Sequence, residues 1–303
     1  MKKHSDTLER LKKNGIFDHI VHILTVGRYF ELFSKTKSLF TPCSGKANLY
    51  NGASLTLPTQ MLGLGRELLR YGIHEPSSTR LYENFVEPGD RIFEAGANIG
   101  YYITVADQIL NRNVSFFAVE PDPEVFRTLE INVAPIEARI VIEKLAVSDK
   151  IGETSFFQSA SSNLGSIRRS RRTDDTALTV TTTTIDNLCK KHNFNPSVLR
   201  MDIEGAEIFA LRGAQEVLNA FRPKIFMELH PTLMTREELS EIFAILRTNG
   251  YHALTILDRS YDSPSALRFL KRAQPRTLNI DQLEKLLNER YFTALGVFCR
   301  SVY

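Results

Sequence analysis

Five short stretches place side chains capable of chemistry where strands give way to loops. FEAGANIGYY (residues 93–102) sets Glu94 ahead of Gly96, Ala97, Asn98 and Gly100. AVEPD brings Glu120 and Asp122, LAVSD brings Ala146, RMDIEGAE brings Asp202, Glu204 and Glu207, and MELHP brings His230. Glycine reaches φ > 0 and lets another group approach its backbone, and a helix starting after such a turn offers free N–H groups. A turn that grips a pyrophosphate prefers G-x-G-x-x-G. Here the pattern is Glu94-x-Gly96-x-Asn98-x-Gly100, with no middle glycine and with a carboxylate that would repel phosphate. An acid there suits an amine or a sulfonium. Glu120 ends the next strand, where a nucleotide-binding βαβ unit uses a carboxylate to accept the ribose hydroxyls. The two acids together describe a ribose-bearing, phosphate-free, cationic ligand, a description that S-adenosylmethionine meets. Glu204 and Glu207 fall at a helix start, which favours acids in any case. Asp202 falls in an apolar strand, where an unpaired carboxylate is costly.

Elements must hold these corners in place. From Asp90 the chain alternates apolar strands with amphipathic helices. RIFEAGA, VSFFAVE, ARIVIEKLAVS, SVLRMDI, KIFMELH, YHALTILD and YFTALGVFCR read as strands, and ETSFFQS with ALTVTTTT as an antiparallel excursion. Asp122 is a good N-cap with Pro123 at the first helical position, and Thr235 with Glu238 has the spacing of a capping box. AEIFALRGAQEVLNAF reads as one amphipathic helix. Alternation of this kind means right-handed βαβ units and a mostly parallel sheet, so the fold class is α/β. One of the last two strands is expected to run antiparallel at the edge. Residues 1–80 read as a helical and irregular cap, with a helical pattern over Phe17–Lys35, and residues 81–303 as the Rossmann-like domain.

The bulk numbers narrow the class. With 303 residues, 43% hydrophobic and 24% charged, the chain can bury a normal core. A net charge of +3 gives no strongly basic face, so a nucleic-acid partner is not expected. Cys43, Cys189 and Cys299 are scattered and form no CxxC, which reads as free thiols in a reducing compartment. No apolar run is long enough for a membrane span, and MKKHSDTLERLKKNG lacks the apolar stretch of a signal peptide. The expected location is cytoplasmic, with no integral membrane segment.

FEAGANIGYY, AVEPDPEVF, LAVSDKIGETSFF, SSNLGSI, TTTTIDNL, LRMDIEGAEIFALRGA and IFMELHP occur in that order. Together they resemble the FkbM-type S-adenosylmethionine-dependent methyltransferases, from Glu87 to Pro231. The resemblance implies a class I methyltransferase fold: a seven-stranded, mostly parallel Rossmann-like sheet with helices on both faces. It implies O-methylation of a hydroxyl on a sugar, glycan or natural-product acceptor. Carried over by position, Glu94, Gly96, Ala97, Asn98 and Gly100 line the methionine part of the cofactor. Glu120 holds the ribose, Asp122 and Ala146 lie near the adenine, and Asp202 faces the methionine or methyl end. One departure is Glu94, where Asp is common in the family.

Methyl transfer from a sulfonium is an in-line displacement, so the protein must align the acceptor and take its proton. His230 is the first candidate base, because an imidazole titrates near neutrality. Glu204 and Glu207 are the next. The three could also make an oxygen-rich divalent-ion site, but spacing alone supports that poorly, and the expectation is transfer without a metal. The cluster Arg168–Arg172 reads as a solvated loop or as a grip on an anionic acceptor. The partners expected are a small-molecule or glycan acceptor and, for a chain of this class, a second copy in a homodimer. Two readings compete: an NAD-dependent oxidoreductase, which the missing G-x-G-x-x-G disfavours, and a non-catalytic nucleotide-binding protein of the same fold.

Overall fold

Strands that are apolar throughout, rather than alternating, are buried on both faces and belong at the centre of a sheet. The computed structural model, which describes residues 45–58, 64–158, 165–168, 176–258, 275–290 and 292–300, has its centre built this way. Strands β3 (Arg91–Ala95), β4 (Ser115–Val119) and β9 (Val198–Met201) are almost wholly buried. Before them comes a small antiparallel hairpin, β1 (Gly45–Asn48) and β2 (Ser54–Leu57). The other strands are β5 (Arg139–Glu143), β6 (Ala146–Val147), β7 (Gly152–Gln158), β8 (Thr176–Thr183), β10 (Lys224–Leu229), β11 (Tyr251–Asp258) and β12 (Ala294–Arg300).

Seven of these form one sheet in the order β11-β12-β10-β9-β3-β4-β5. The pairs from β10 to β5 are all parallel, while β12 is antiparallel to both β10 and β11. The antiparallel strand expected at the edge is therefore one place in, inserted between β10 and β11. The chain runs outward through β3, β4 and β5, then crosses back to place β9 on the other side of β3. That reversal is the switch point where such sheets open a crevice at their carboxyl ends. The architecture is that of a Rossmann-like class I methyltransferase fold.

Two expected elements are divided. The third strand splits into β5, in the large sheet, and β6, which pairs with β8 in a separate three-stranded sheet β6-β8-β7. The long helix after Asp202 is two short helices, Glu207–Arg212 and Gln215–Ala220. The break is at Gly213, where a Cβ would lie 2.2 Å from the Ser148 carbonyl oxygen. Contact with that backbone overrides the helical period of the sequence.

The capping pairs occur as expected. Asp122 accepts from the N–H groups of Glu124 and Val125 at the head of helix Pro123–Val133. Thr235 and Glu238 form a reciprocal capping box on helix Arg236–Thr248. Of the expected N-terminal cap, residues 1–44 and 59–63, with the helical pattern over Phe17–Lys35 and Cys43, lie outside the described residues. Its described part holds the β1–β2 hairpin and helices Leu64–Tyr71 and Pro76–Phe85. Leu55, Leu68 and Tyr82 share one core with Ile92, Ile99 and Phe116. Cys189 is buried and free, and burial pushes its thiol up to about 12. Among the described residues no helix is long and apolar enough to cross a membrane.

Candidate active site

A cavity of about 340 Å³ opens at the carboxyl ends of β3, β4, β9 and β10. The turn after β3 makes one wall. It is held by N–H groups of Gly96 and Ala97, which donate to the Val119 carbonyl at 3.1 and 3.0 Å. Gly96 has φ 79° and no room for a side chain: a Cβ would sit 2.1 Å from the Asp202 carbonyl oxygen. Its glycine packs the turn against the strand rather than admitting a ligand. Gly100, also at positive φ, starts helix Tyr101–Ile109 over Leu129 and does not line the cavity. Asn98 lies between them at φ 51°, a conformation Asn tolerates better than most residues. Gly96, Ala97 and Asn98 all face the cavity.

Glu120 faces it as well, and its position is fixed by main chain. One carboxylate oxygen accepts from the Asn98 N–H at 2.9 Å and the other from the Asp122 N–H at 3.0 Å. Burial raises its pKa to about 7, against the pull of those two N–H groups. A ligand diol would restore what burial takes away, because each oxygen keeps a free lone pair.

Glu94 is elsewhere. It is fully buried behind the turn, off the cavity, with Oε1 3.1 Å from Arg200 Nη1. Burial lifts it to about 7 even though Arg200 pulls it down. Arg200 also reaches Asp202 Oδ2 at 3.2 Å and lies 3.9 Å over the Tyr102 ring. The cost of an acid near the strand interior is thus met by one guanidinium serving two carboxylates. Asp202 itself follows β9 and lines the cavity. Asp122 does not, since its carboxylate caps a helix and accepts from Gln158 Nε2 at 2.8 Å. Ala146 on β6 does line it, beside Phe156 and Ser166 of the small sheet and its following loop.

The opposite end is acidic. Glu204 sits at φ 51° in the tight turn after β9, with Gly205 at φ 92° behind it. His230 follows β10 and is buried. Its Nδ1 lies 3.0 Å from Glu207 Oε1, while Nε2 lies 3.4 Å from Glu204 Oε2 and 3.5 Å from Glu228 Oε1. Burial opposes charge on the imidazole, but Glu204 and Glu207 overcome it and raise the pKa well above the usual value. Glu204 is raised to about 8, mainly by burial and against the attraction of His230. Glu207 is buried out of reach of the cavity, so it holds the ring and does not face a ligand.

Sequence reasoning missed several groups. Arg200, Glu228, His74 and Glu75 all line the cavity. An arginine inside the apolar run VLRM was a visible signal, and Glu228 stood in a strand-end window without a role. His74 had no periodic signal. It is gripped by Glu67 at 2.6 Å and Glu75 at 3.0 Å, which raise its pKa to about 10 in spite of burial. Of the basic cluster, Arg168 is engaged with Glu238 and donates to the Leu233 carbonyl at 2.7 Å. Arg169, Arg171 and Arg172 lie outside the described residues.

The profile described as "Methyltransferase FkbM domain" matches residues 94–253, from Glu94 of β3 into β11. The chain belongs to the FkbM methyltransferase family. This FkbM chain is 26% identical over 157 residues to the hexuronic acid methyltransferase AglP of Haloferax volcanii. The match covers 52% of this chain, which spans 62% of the length of that curated relative. Among solved structures, methyltransferase FkbM from Methylobacillus flagellatus KT is 17% identical, with a TM-score of 0.39 over 55% of this chain and 41% of that one. M. jannaschii TYW2, solved in complex with AdoMet, is 9% identical, with a TM-score of 0.43 over 86% of this chain and 88% of that one. Both scores are low, and the fold assignment rests on the strand order described above.

Proposed function

We propose that this chain transfers the methyl group of S-adenosylmethionine to a hydroxyl of a sugar-type acceptor such as a hexuronic acid. The observation that carries the reading is Glu120: a buried carboxylate, pinned by two main-chain N–H groups, facing a cavity at the switch point. That is the grip a ribose diol needs. The turn beside it offers no glycine cradle for a pyrophosphate, and the cavity is lined by Glu75, Asp202, Glu204 and Glu228 as well. A ligand with a sulfonium and an ammonium is favoured there and a dinucleotide is not.

In this reading Gly96, Ala97 and Asn98 border the methionine part and Ala146 the adenine. Glu94 acts through Arg200, which orients Asp202, so its role is positioning. The acceptor oxygen attacks the methyl carbon, the carbon–sulfur bond breaks with its electron pair going to sulfur, and S-adenosylhomocysteine leaves. The hydroxyl proton leaves at the Glu204–His230 end of the cavity, with Glu207 fixing the imidazole. Membership of the FkbM family supports methyl transfer, and the hexuronic acid methyltransferase likeness supports the acceptor class.

Calorimetric titration with S-adenosylmethionine and with NAD, followed by a labelled-methyl assay on hexuronic acids and their glycans, tests the reading. S-adenosylmethionine is expected to bind and NAD to give no heat. Binding of NAD alone would overturn it. Cofactor binding without transfer to any hydroxyl acceptor would point to a non-catalytic protein.

A further inference from the structure

Among the described residues, carboxylates crowd the His230 end of the cavity. Among the described residues, Glu204, Glu207 and Glu228 lie against the imidazole of His230, Asp202 is close by, and Arg200 is shared between Asp202 and Glu94. Buried carboxylates in such numbers are stable when they are paired or bind a metal ion.

The geometry around His230 is specific. Its Nδ1 is held by Glu207, which fixes the ring and aims Nε2 at the cavity. The Nε2 distances to Glu204 and Glu228, 3.4 and 3.5 Å, are long for charge-assisted hydrogen bonds. One ligand atom each from Asp202, Glu228 and His230 lies within 4.8 Å of the other two. Around one six-coordinate divalent ion, neighbouring ligand atoms are about 3 Å apart and opposite ones about 4 Å. A small inward movement would bring all three atoms onto one ion. A carboxylate on the far nitrogen is also the arrangement that metal-bound histidines use to set their tautomer.

We propose that Asp202, Glu228 and His230 hold a divalent cation at the acceptor end of the cavity, where it binds the hydroxyl that is methylated. The hydroxyl as ligand rests on the methyltransferase reading; the cation site itself does not. Two carboxylates and one imidazole, with no thiolate, suit a divalent transition ion that takes both oxygen and nitrogen donors, such as Mn²⁺. His230 then gives its Nε2 lone pair to the metal and is not the base. Coordination acidifies the hydroxyl, its proton passes to Glu204, which lies outside the ligand set, and the oxygen attacks the methyl carbon as above. This departs from the expectation of metal-free transfer with His230 as the base.

The test uses the full chain, stripped with EDTA and desalted, and titrated with Mn²⁺ while free Mn²⁺ is followed by electron paramagnetic resonance. A single Mn²⁺ per chain is expected. Glu228→Gln and His230→Asn should each weaken it by more than about tenfold, and Glu207→Gln, through the ring it holds, by about tenfold. S-adenosylmethionine is titrated separately into the unmodified chain, as the independent readout of the methyltransferase reading. Absence of stoichiometric Mn²⁺ binding, or unchanged affinity in folded Glu228→Gln and His230→Asn, overturns the cation site and leaves the methyltransferase reading intact. Mn²⁺ binding without S-adenosylmethionine binding does the reverse. If a variant fails to fold by circular dichroism, the stoichiometry on the unmodified chain decides.

Discussion

The two ends of the cavity are held by different means. At the β3–β4 end the key carboxylate, Glu120, is fixed by backbone N–H groups and faces a turn whose shape depends on Gly96. At the β9–β10 end the groups are fixed largely by one another, through His230 and its carboxylates. Main chain gives a cradle whose shape is set by the backbone, even while the carboxylate it holds gains or loses a proton. A side-chain cluster leaves room to rearrange around a proton, a cation or an acceptor. A part that must always bind the same cofactor suits the first construction, and a part that must handle charge during a reaction suits the second.

Four measurements would sharpen or break that contrast. The largest effect belongs to Gly96→Ala. It forces a Cβ against the Asp202 carbonyl at positive φ and should cost roughly 3–4 kcal/mol of stability in urea unfolding. A variant as stable as the parent would mean that the cradle's shape is not set by that backbone.

Next is Glu120→Gln, which keeps the shape and removes the charge. Cofactor affinity by calorimetry should fall about 100-fold, close to 2.7 kcal/mol, the size of one or two hydrogen bonds to a charged group. Unchanged affinity would remove Glu120 from the ribose site.

The third is pH. Burial places Glu120 at about 7 in the free protein, and a diol favours the ionised form. The complex therefore holds fewer protons than its parts, and affinity rises with pH. Binding should be about tenfold weaker at pH 6 than at pH 8, with proton release visible in buffers of different ionisation heat. Affinity that is flat, or that falls with pH, would contradict the assignment. The smallest effect is Asp122→Ala. It removes a helix cap beside the cradle and should lower stability by about 1 kcal/mol in thermal unfolding, without abolishing cofactor binding. Loss of binding would mean that Asp122 touches the ligand.

Local signals in the sequence reached the β3–β4 end of the cavity better than the acidic end. Asp122 before Pro123, Thr235 before Glu238 and the apolar runs of β3, β4, β9 and β10 all act over a few residues, so their patterns are visible along the chain. The carboxylates at strand ends were visible for the same reason. Arg200 meeting Glu94 was not, because 106 positions separate them and only strand pairing brings them together. His74 and Glu75 reach the cavity from an N-terminal segment whose own periodicity says nothing about its neighbour. The helix break at Gly213 needed knowledge of the Ser148 carbonyl. The position of β12 depended on a choice between two similar apolar strands, which periodicity cannot make.

That position has a consequence for biogenesis. β12 leaves the ribosome after both β10 and β11, yet it lies between them. Until it arrives, β10 keeps an open edge beside Glu228, and Thr293, which borders the cavity just before β12, is not yet in place. A nascent chain can form its β3–β4 cradle early but cannot close the β10 side until β12 has emerged. The acidic half of the cavity is thus completed only once residues 294–300 have emerged, and a product terminated before them would expose an unpaired strand edge for quality control to recognise.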